Sequence, residues 1–190
     1  MATIEPTERM AFPIAPFTVD DLFNFPDDGN RYELFNGSLV VSPAPTPQHQ
    51  DALSLLWTIL RRTVPSHLKV LLTVNVRASD TDFYIPDLVV VPKGRFKSVK
   101  LMFTPEDVLL AVEVVSPSTK TRDRATKVEA YAKVGIPTYW RVELDEGPTL
   151  YVYDLDGDSY RGPVAHRAGT LASLATPYPI SFNPADLIED

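Results

Sequence analysis

Tyr84-Ile85-Pro86-Asp87-Leu88-Val89-Val90-Val91 and Val108-Leu109-Leu110-Ala111-Val112-Glu113-Val114-Val115 are two apolar runs that each contain one carboxylate. Both runs are short, rich in β-branched residues and bounded by turn residues, which predicts two buried strands. A charge inside such a strand is costly unless it is paired or bound to a metal. Asp87 and Glu113 on neighbouring strands would also repel each other. A hard divalent cation removes both problems because it takes oxygen ligands, so the pair predicts a Mg²⁺ site.

The remaining pattern predicts an α/β chain with a mixed sheet and helices covering its faces. Thr18 and Asp21 predict a capped short helix, and Asn36-Gly37 between two apolar runs predicts a hairpin. Gly135 followed by Pro137 predicts the end of a helix. The predicted elements are a short helix from residue 18, a hairpin over 31–41, a helix over 48–64, strands over 68–76, 84–91 and 108–115, a helix over 122–134, strands over 138–144, 149–155 and 158–166, and a capped turn over 183–188.

The bulk composition predicts one globular domain. The chain has 190 residues, no cysteine and a formal net charge of −7. The length suits a single core, so we expect an N-terminal arm over residues 1–16 and one domain over 17–190. The absence of cysteine excludes disulfides and thiolate metal sites. Without a long apolar run or a signal-peptide pattern, we expect a cytoplasmic protein that does not associate with membranes.

A set of motifs resembles one enzyme family. Pro86-Asp87 on one strand with Glu113 on the next resembles the PD-(D/E)XK nuclease superfamily. Longer strings are similar to the Uma-type restriction endonuclease family. These strings are Glu113-Val114-Val115-Ser116-Pro117-Ser118-Thr119, Asp123-Arg124, Lys127, Tyr131-Ala132, Gly135-Ile136-Pro137-Thr138-Tyr139-Trp140, Arg31-Tyr32-Glu33-Leu34 with Gly37, and Pro47-Gln48-His49-Gln50.

The resemblance implies a restriction-endonuclease-like fold and Mg²⁺-dependent hydrolysis of DNA, with Mn²⁺ able to substitute. Asp87, Glu113 and the carbonyl of Val114 would hold the ion, which would polarise the scissile phosphate and acidify a water. Glu33 would complete the carboxylate shell or hold a second ion. The superfamily pattern has a lysine two residues after the acid, where this chain has Val115. The resemblance therefore implies that Lys127, from the following helix, orients the water instead.

Each of these roles has a simpler structural alternative. Lys127 and Asp123 are four residues apart and would form an ordinary ion pair on one helix face. Glu33 would lie on the solvated face of a hairpin, and His49 would be a capping or surface residue at a helix start rather than a proton carrier. Tyr131 would fill the core. The roles of His49 and Asp123 stay open at this point.

Basic residues cluster around the two carboxylate strands. One cluster is Lys93, Arg95, Lys97 and Lys100, and the other runs from Lys120 to Lys133. We expect both clusters to flank the site and to contact DNA phosphates, because the acidic chain as a whole repels a polyanion. The alternative is a pair of solvated loops. Because duplex cleavage needs two cuts, we also expect a homodimer.

Two other functions compete with the nuclease. A binding or regulatory protein that keeps the nuclease fold would explain Val115 at the lysine position. A metal-dependent hydrolase of a small phosphorylated substrate would tolerate the acidic surface better than a DNA enzyme would.

Overall fold

The structure is a computed structural model that describes residues 15–116 and 122–189; the side chains of Arg122 and Asp123 also lie outside the description. Within these residues there are four α-helices. They are α1 (Val19–Leu22), α2 (Pro47–Thr63), α3 (Lys93–Ser98) and α4 (Lys127–Lys133). A π-helical turn, Arg122–Thr126, leads directly into α4, and 3-10 turns cover Pro105–Asp107 and Pro184–Leu187.

The described strands are short and numerous. They are β1 (Arg31–Phe35), β2 (Ser38–Ser42), β3 (Leu68–Leu72), β4 (Asn75–Arg77), β5 (Phe83–Tyr84), β6 (Leu88–Pro92), β7 (Met102–Phe103), β8 (Leu110–Val114), β9 (Thr138–Glu143), β10 (Thr149–Asp156), β11 (Ser159–Tyr160), β12 (Val164–Arg167), β13 (Ala172–Leu174) and β14 (Ile180–Phe182).

The main sheet has the order β11-β10-β9-β8-β6-β3, with β12 also pairing β10. Its β8–β9 pair is parallel, because the π-helical turn and α4 cross over between these two strands, while the other pairs are antiparallel. A second sheet has the order β2-β1-β5-β4-β7, and β13 pairs β14 separately. The predicted mixed α/β sheet with extra hairpins is confirmed.

Side-chain alternation divides the core of the main sheet into two layers. Leu88, Val90 and Val112 face α2, whose Leu56 and Leu60 are fully buried against them. The opposite face carries Val89, Val91, Ala111 and Tyr139, which pack with Tyr131 of α4 and with Phe35, Val76 and Tyr84 of the second sheet. The second sheet and α4 therefore cover the same face.

Several predicted elements are confirmed. The capping box joins Thr18 to Asp21 at the start of α1, and the predicted helices over 48–64 and 122–134 are present with small shifts at their ends. The first hairpin turns at Asn36 and Gly37, both in the left-handed region with φ of 49° and 72°. Two adjacent residues with positive φ are what a tight two-residue hairpin requires.

Other strand predictions are wrong in detail. The strand expected over residues 68–76 breaks at Thr73, whose φ is 51°, so β3 joins the main sheet and β4 the second sheet. The strand expected over residues 84–91 is likewise divided into β5 and β6, and Asp87 lies in the gap between them. The run over residues 158–166 forms β11 and β12, and α3, β7, β13 and β14 were not predicted.

Residues 1–14 of the predicted arm lie outside the described residues. In the described part of the chain, no helix combines the length and the apolar character needed to span a bilayer.

Candidate active site

Asp87 and Glu113 meet where the β6–β8 pairing ends. β6 and β8 are antiparallel with Leu88 opposite Val112, so Asp87 immediately precedes the ladder while Glu113 follows it. Glu113 alternates with Val112 and shares the face of Ala111, the face covered by α4. By the same alternation Asp87 falls on the face of Val89. The two carboxylates are therefore on one face of the sheet, as expected for residues that act together.

The carboxylate of Asp87 is held by three neighbours. Its Oδ1 lies 2.8 Å from Arg31 Nη1, and its Oδ2 lies 3.0 Å from His49 Nε2. The backbone N–H of Val114 donates to the same Oδ2 at 3.0 Å. Burial by itself would raise the pKa of Asp87, but the hydrogen bond and charge of His49, the charge of Lys127 and the Val114 N–H outweigh it and lower the pKa from 3.8 to about 2. Asp87 is therefore ionised at neutral pH.

Glu113 is held by two side chains of the following helix. Lys127 Nζ lies 2.7 Å from Glu113 Oε1, and the hydroxyl of Tyr131 donates to the same oxygen at 2.6 Å. Lys127 and Tyr131 are four residues apart on α4 and so lie on one helix face. Burial and the nearby charge of Glu113 raise the pKa of Tyr131 well above its ordinary value, which keeps its hydroxyl a donor. The structure thus brings Lys127 to the site from the helix.

The first hairpin supplies a third acid and a second cation. Arg31, Glu33 and Phe35 alternate along β1, and Phe35 packs into the core layer between the two sheets. Glu33 Oε1 accepts a hydrogen bond from the Ile85 N–H at 2.9 Å and lies 3.5 Å from Lys127 Nζ. Glu33 is therefore buried beside Lys127 and does not lie on a solvated hairpin face.

These groups line one narrow cleft whose outer wall is the connector before α2. Glu33, Asp87, Glu113 and Lys127 are each only 2–4% exposed. Among the described lining residues, the carboxylates of Glu33, Asp87 and Glu113 face the positively charged side chains of Arg31 and Lys127 and the imidazole of His49. Burying several charges at one place is tolerated only because they pair with one another. The lining residues are Arg31, Glu33, Ser42, Pro43, Ala44, Pro45, Thr46, His49, Ile85, Asp87, Glu113, Val114, Ser116 and Lys127.

His49 joins the cleft from the first turn of α2. Its backbone N–H bonds to the N-cap Thr46, and its imidazole is buried against Asp87. Among the described residues its Nδ1 has no hydrogen-bond partner. His49 is therefore neither the capping residue nor a surface residue, and its side chain contacts the site.

The oxygen atoms that Asp87, Glu113 and Val114 offer are of the type that a hard divalent cation binds. The N–H of Val114 donates to Asp87. Because the N–H and the carbonyl of one strand residue point to the same edge of the strand, the Val114 carbonyl oxygen also faces the Asp87 side of β8. Asp87, Glu113 and this carbonyl supply three oxygen donors. Across the described residues no group of three histidine or carboxylate side chains is placed closely enough to hold a metal, so Glu33 as a third ligand stays a prediction. Mg²⁺ commonly uses one or two carboxylates with water and phosphate completing its shell, which this set allows.

One basic cluster lies away from the cleft. Asp87 precedes β6 and Lys93 follows it, and six residues of extended chain separate them by about 20 Å. Arg95 is also paired with the buried Asp107, at 2.5 Å. Residues 93–100 thus begin at the end of β6 opposite the cleft, and their contact with DNA phosphates stays a prediction. Of the second cluster, Lys127 is in the cleft and Arg124 pairs with Glu143, while Lys120 and the side chains of Arg122 and Asp123 lie outside the described residues.

Two members of the site were not among the predicted site residues. The first is Arg31, which contacts Asp87. The sequence could have indicated it, because Arg31 lies two residues before Glu33 and therefore on the same face of the strand. The hydroxyl of Tyr131 contacts Glu113 although the ring is also core, in T-shaped contact with Tyr84 and Tyr139 at 5.4 Å. From the sequence, an aromatic residue on the helix face of Lys127 is compatible with a core role and with a site role. The structure shows that Tyr131 has both roles, because its ring packs in the core and its hydroxyl contacts Glu113.

Comparison with known proteins finds a matching family model and a solved structure of similar fold. A family model described as "Uma2: Putative restriction endonuclease" matches residues 19–185. Among solved structures, the chain is similar to the one described as a "putative nuclease belonging to DUF820 from Anabaena variabilis ATCC 29413", with a TM-score of 0.73 and 19% sequence identity. That alignment covers 92% of this chain and 97% of the other, and at this identity it shows a shared fold. Comparison with curated proteins finds no match.

Proposed function

Because the chain belongs to the Uma2 family, we propose that it is a Mg²⁺-dependent endonuclease that hydrolyses DNA phosphodiester bonds in the cleft between β6, β8 and α4. The observation that carries this proposal is the contact of Lys127 Nζ with Glu113 Oε1 at 2.7 Å. Lys127 thereby places an ammonium group beside the proposed ion ligands. In the superfamily pattern the corresponding lysine lies on the strand, at the position that Val115 occupies in this chain.

The residues of the chain divide the proposed work among them. Asp87, Glu113 and the Val114 carbonyl would hold the ion, and Mn²⁺ would substitute for Mg²⁺ because both take oxygen ligands. When bound, the ion supplies polarisation of the phosphate and a water of lowered pKa. Lys127 orients the attacking water by hydrogen bonding and offsets negative charge that develops on the phosphate. Glu33 holds Lys127 from the other side, at 3.5 Å, and is a positioning residue in this scheme.

The neighbours of the two acids keep them charged and oriented. His49 and the Val114 N–H fix one oxygen of Asp87, and Tyr131 fixes one oxygen of Glu113. Charge-assisted hydrogen bonds of this kind stabilise the ionised carboxylates that a cation needs as ligands. A phosphate also needs the excess negative charge of the cleft to be neutralised, which accounts for the proposed dependence on a divalent ion.

A plasmid-cleavage assay with Mg²⁺, Mn²⁺ or EDTA tests this function. We expect nicked and linear products with either ion and none in EDTA. The variant Glu113→Gln should lose more than about a hundredfold in rate, since it removes a proposed ion ligand without changing the side-chain size. Glu129→Gln is the matched control, because Glu129 is exposed on the same helix and undergoes the same change in charge.

The competing functions give different outcomes. A folded wild type that binds DNA but never cuts single-stranded or plasmid DNA with either ion would favour a nuclease-fold binding or regulatory protein. Hydrolysis of a small phosphoester such as p-nitrophenyl phosphate, lost in Glu113→Gln and without cleavage of DNA, would favour the small-substrate hydrolase.

A further inference from the structure

Arg31, at the mouth of the cleft, uses only some of its hydrogen-bond donors within the described part of the protein. We propose that Arg31 binds the DNA phosphate at the cleft mouth with the part of its guanidinium that does not contact Asp87. This inference rests on the proposed nuclease function, and it names the group that recognises the substrate.

Arg31 differs from Lys127 in its exposure. The side chain of Arg31 is 23% exposed, whereas those of Lys127, Glu113 and Asp87 are 4–5% exposed. Arg31 stands at the first position of β1 and lines both the cleft and an adjoining apolar groove that contains Ile85. It is therefore the cation that a phosphate entering from solvent meets first among the described lining residues.

The hydrogen bonding of Arg31 leaves donors for a ligand. A guanidinium has five N–H donors in a planar fork. Among the described residues, Asp87 Oδ1 is the only acceptor of Arg31, through Nη1 at 2.8 Å. Such a fork matches two phosphate oxygens at once, and arginine is enriched where phosphate is bound in this way. Lys127 is a compact cation with Glu113 and Glu33 beside it, so its geometry favours action within the site.

The contact with Asp87 sets the direction of the fork. Asp87 is itself fixed by His49 and by the Val114 N–H, so it holds one edge of the Arg31 guanidinium in place. A cation held in position by packing and hydrogen bonds loses less conformational entropy when it binds its ligand. The alternative is that Arg31 only neutralises Asp87. This alternative predicts that Arg31→Lys, which keeps the charge and loses the fork, binds DNA as tightly as the background.

Fluorescence anisotropy with a labelled 20-nucleotide strand and the corresponding 20-base-pair duplex tests the proposal. The titrations use Mg²⁺ and a Glu113→Gln background to suppress cleavage, over a series of salt concentrations. In this background Arg31→Gln should raise Kd about tenfold, the effect of losing one charge-assisted contact. It should also reduce the slope of log K against log salt by about 0.7 for the single strand and about 0.9 for the duplex.

Two further variants make the result specific. Arg161→Gln is the matched control, because Arg161 forms an exposed pair with Asp156 at 3.0 Å outside the cleft, and its affinity should equal that of the background. Arg31→Lys keeps the charge but loses the fork, so we expect an unchanged salt slope with a severalfold higher Kd. Urea unfolding of each variant in the same buffer establishes that the protein is folded.

The outcomes separate this inference from the proposed function. A folded Arg31→Gln variant with the affinity and salt slope of Arg161→Gln would overturn the role of Arg31 while leaving the nuclease intact. If Arg31→Gln does not fold, an Arg31→Lys variant that binds as tightly as the background overturns it instead. A wild type that binds DNA through Arg31 but cuts no DNA would overturn the nuclease proposal and support the phosphate contact.

Discussion

Asp87 keeps a negative charge in a buried position because its neighbours favour the ionised form. His49 and the Val114 N–H bond to one oxygen, Arg31 contacts the other, and the pKa falls to about 2. A carboxylate whose pKa is lower in the folded than in the unfolded state stabilises the fold above the unfolded pKa. That stabilisation is lost as the pH falls through the folded pKa.

We therefore expect acid to weaken the protein through Asp87. The decrease in pKa from 3.8 to about 2 corresponds to about 2 kcal/mol of stability, present above about pH 4 and lost between pH 4 and pH 2. Urea unfolding of wild type and Asp87→Asn should show the variant less stable at pH 6, with the difference shrinking by about 2 kcal/mol by pH 2. Asp158→Asn is an exposed control. Parallel stability curves for wild type and Asp87→Asn would contradict the expectation.

The residues of the site were predictable to different degrees. Asp87 and Glu113 stand out because an acid inside an apolar run demands a partner. Arg31 was not predicted as a site residue, and the structural alternative for Glu33 was a solvated hairpin face. The alternation of side chains along one hairpin shows which residues share a face, but it does not show which face packs against other elements. His49 is separated from Asp87 by 38 positions in the chain, so their contact depends on how α2 packs on the main sheet.

The proposed water-orienting lysine, Lys127, comes from a helix rather than from a strand. Val115 directly follows β8, and its N–H donates to the Val142 carbonyl at 2.8 Å, so the strand edge there is paired with β9. The π-helical turn before α4 ends one residue before Lys127. Such turns shift the register of a helix and are frequent at functional sites. Here the turn leads into the face from which Lys127 and Tyr131 both reach Glu113.

A lysine exchange between strand and helix tests this substitution. We expect Lys127→Ala to lose more than about a hundredfold in cleavage rate, because the variant removes the proposed water-orienting cation. Adding Val115→Lys in that background should restore part of the rate, since position 115 shares the strand face of Glu113. Plasmid cleavage in Mg²⁺ measures both variants, with Val115→Leu in the Lys127→Ala background as the control. Equal rates for the lysine and leucine double variants would contradict the exchange.

The π-helical turn is tied to the main sheet by one acid. Arg124 forms two hydrogen bonds with Glu143 at the end of β9, and Arg141 Nε lies 3.0 Å from Glu143 Oε1. Glu143 thus joins an arginine of the turn to a buried arginine of the strand. Since Arg124 is about half exposed, its share of the stabilisation is reduced by solvent.

We expect Glu143→Gln to loosen the turn that leads to Lys127. The variant should lose about 1–2 kcal/mol of unfolding free energy, mainly because the buried Arg141 loses a charged partner. Amide hydrogen exchange over residues 122–127 should become faster relative to wild type, as measured by mass spectrometry. Asp156→Asn breaks the exposed Arg161 pair and should change stability by less than about 0.5 kcal/mol. Unchanged exchange in the turn would show that other contacts hold it.

The sequence predicts strand positions better than strand boundaries. The hairpin at Asn36-Gly37, α2 and the helix ending at Gly135 follow from local turn and capping chemistry, and they are present. The division of residues 68–76 at Thr73 has no such local indication, because threonine rarely adopts a positive φ. Thr73 donates its N–H to the Asp87 carbonyl at 3.0 Å, so the break and the site arise together from tertiary pairing.

The net charge of −7 opposes binding of the whole molecule to DNA, so the proposed binding would depend on local cations. The cleft and α3 are two separate places where cations are presented. In the proposed function, the carboxylates in the cleft would repel phosphate until a divalent ion neutralised them, whereas Lys93, Lys97 and Lys100 would attract phosphate without an ion. The two places are about 20 Å apart along β6, which is about two Debye lengths at 0.1 M salt.

We therefore expect independent contributions from the cleft and from α3. Adding Mg²⁺ should tighten binding of a 20-base-pair duplex, and this gain should disappear in Glu113→Gln, because the variant removes a proposed ion ligand. Replacing Lys93, Lys97 and Lys100 together by glutamine should lower affinity and flatten the salt slope by up to about 0.9 per lost phosphate contact. Arg95 is left in place because Asp107 already binds it.

The separation of the two places makes their effects additive. Sites farther apart than about 10 Å without shared partners contribute independently within about 0.5 kcal/mol. The triple lysine variant should therefore lose the same factor in affinity in Mg²⁺ and in EDTA, and the gain from Mg²⁺ should be the same with and without the three lysines. Anisotropy titrations of the four combinations measure both factors. A gain from Mg²⁺ that vanishes in the triple variant would place the ion near α3 rather than between Asp87 and Glu113, because only a shared contact couples the two effects.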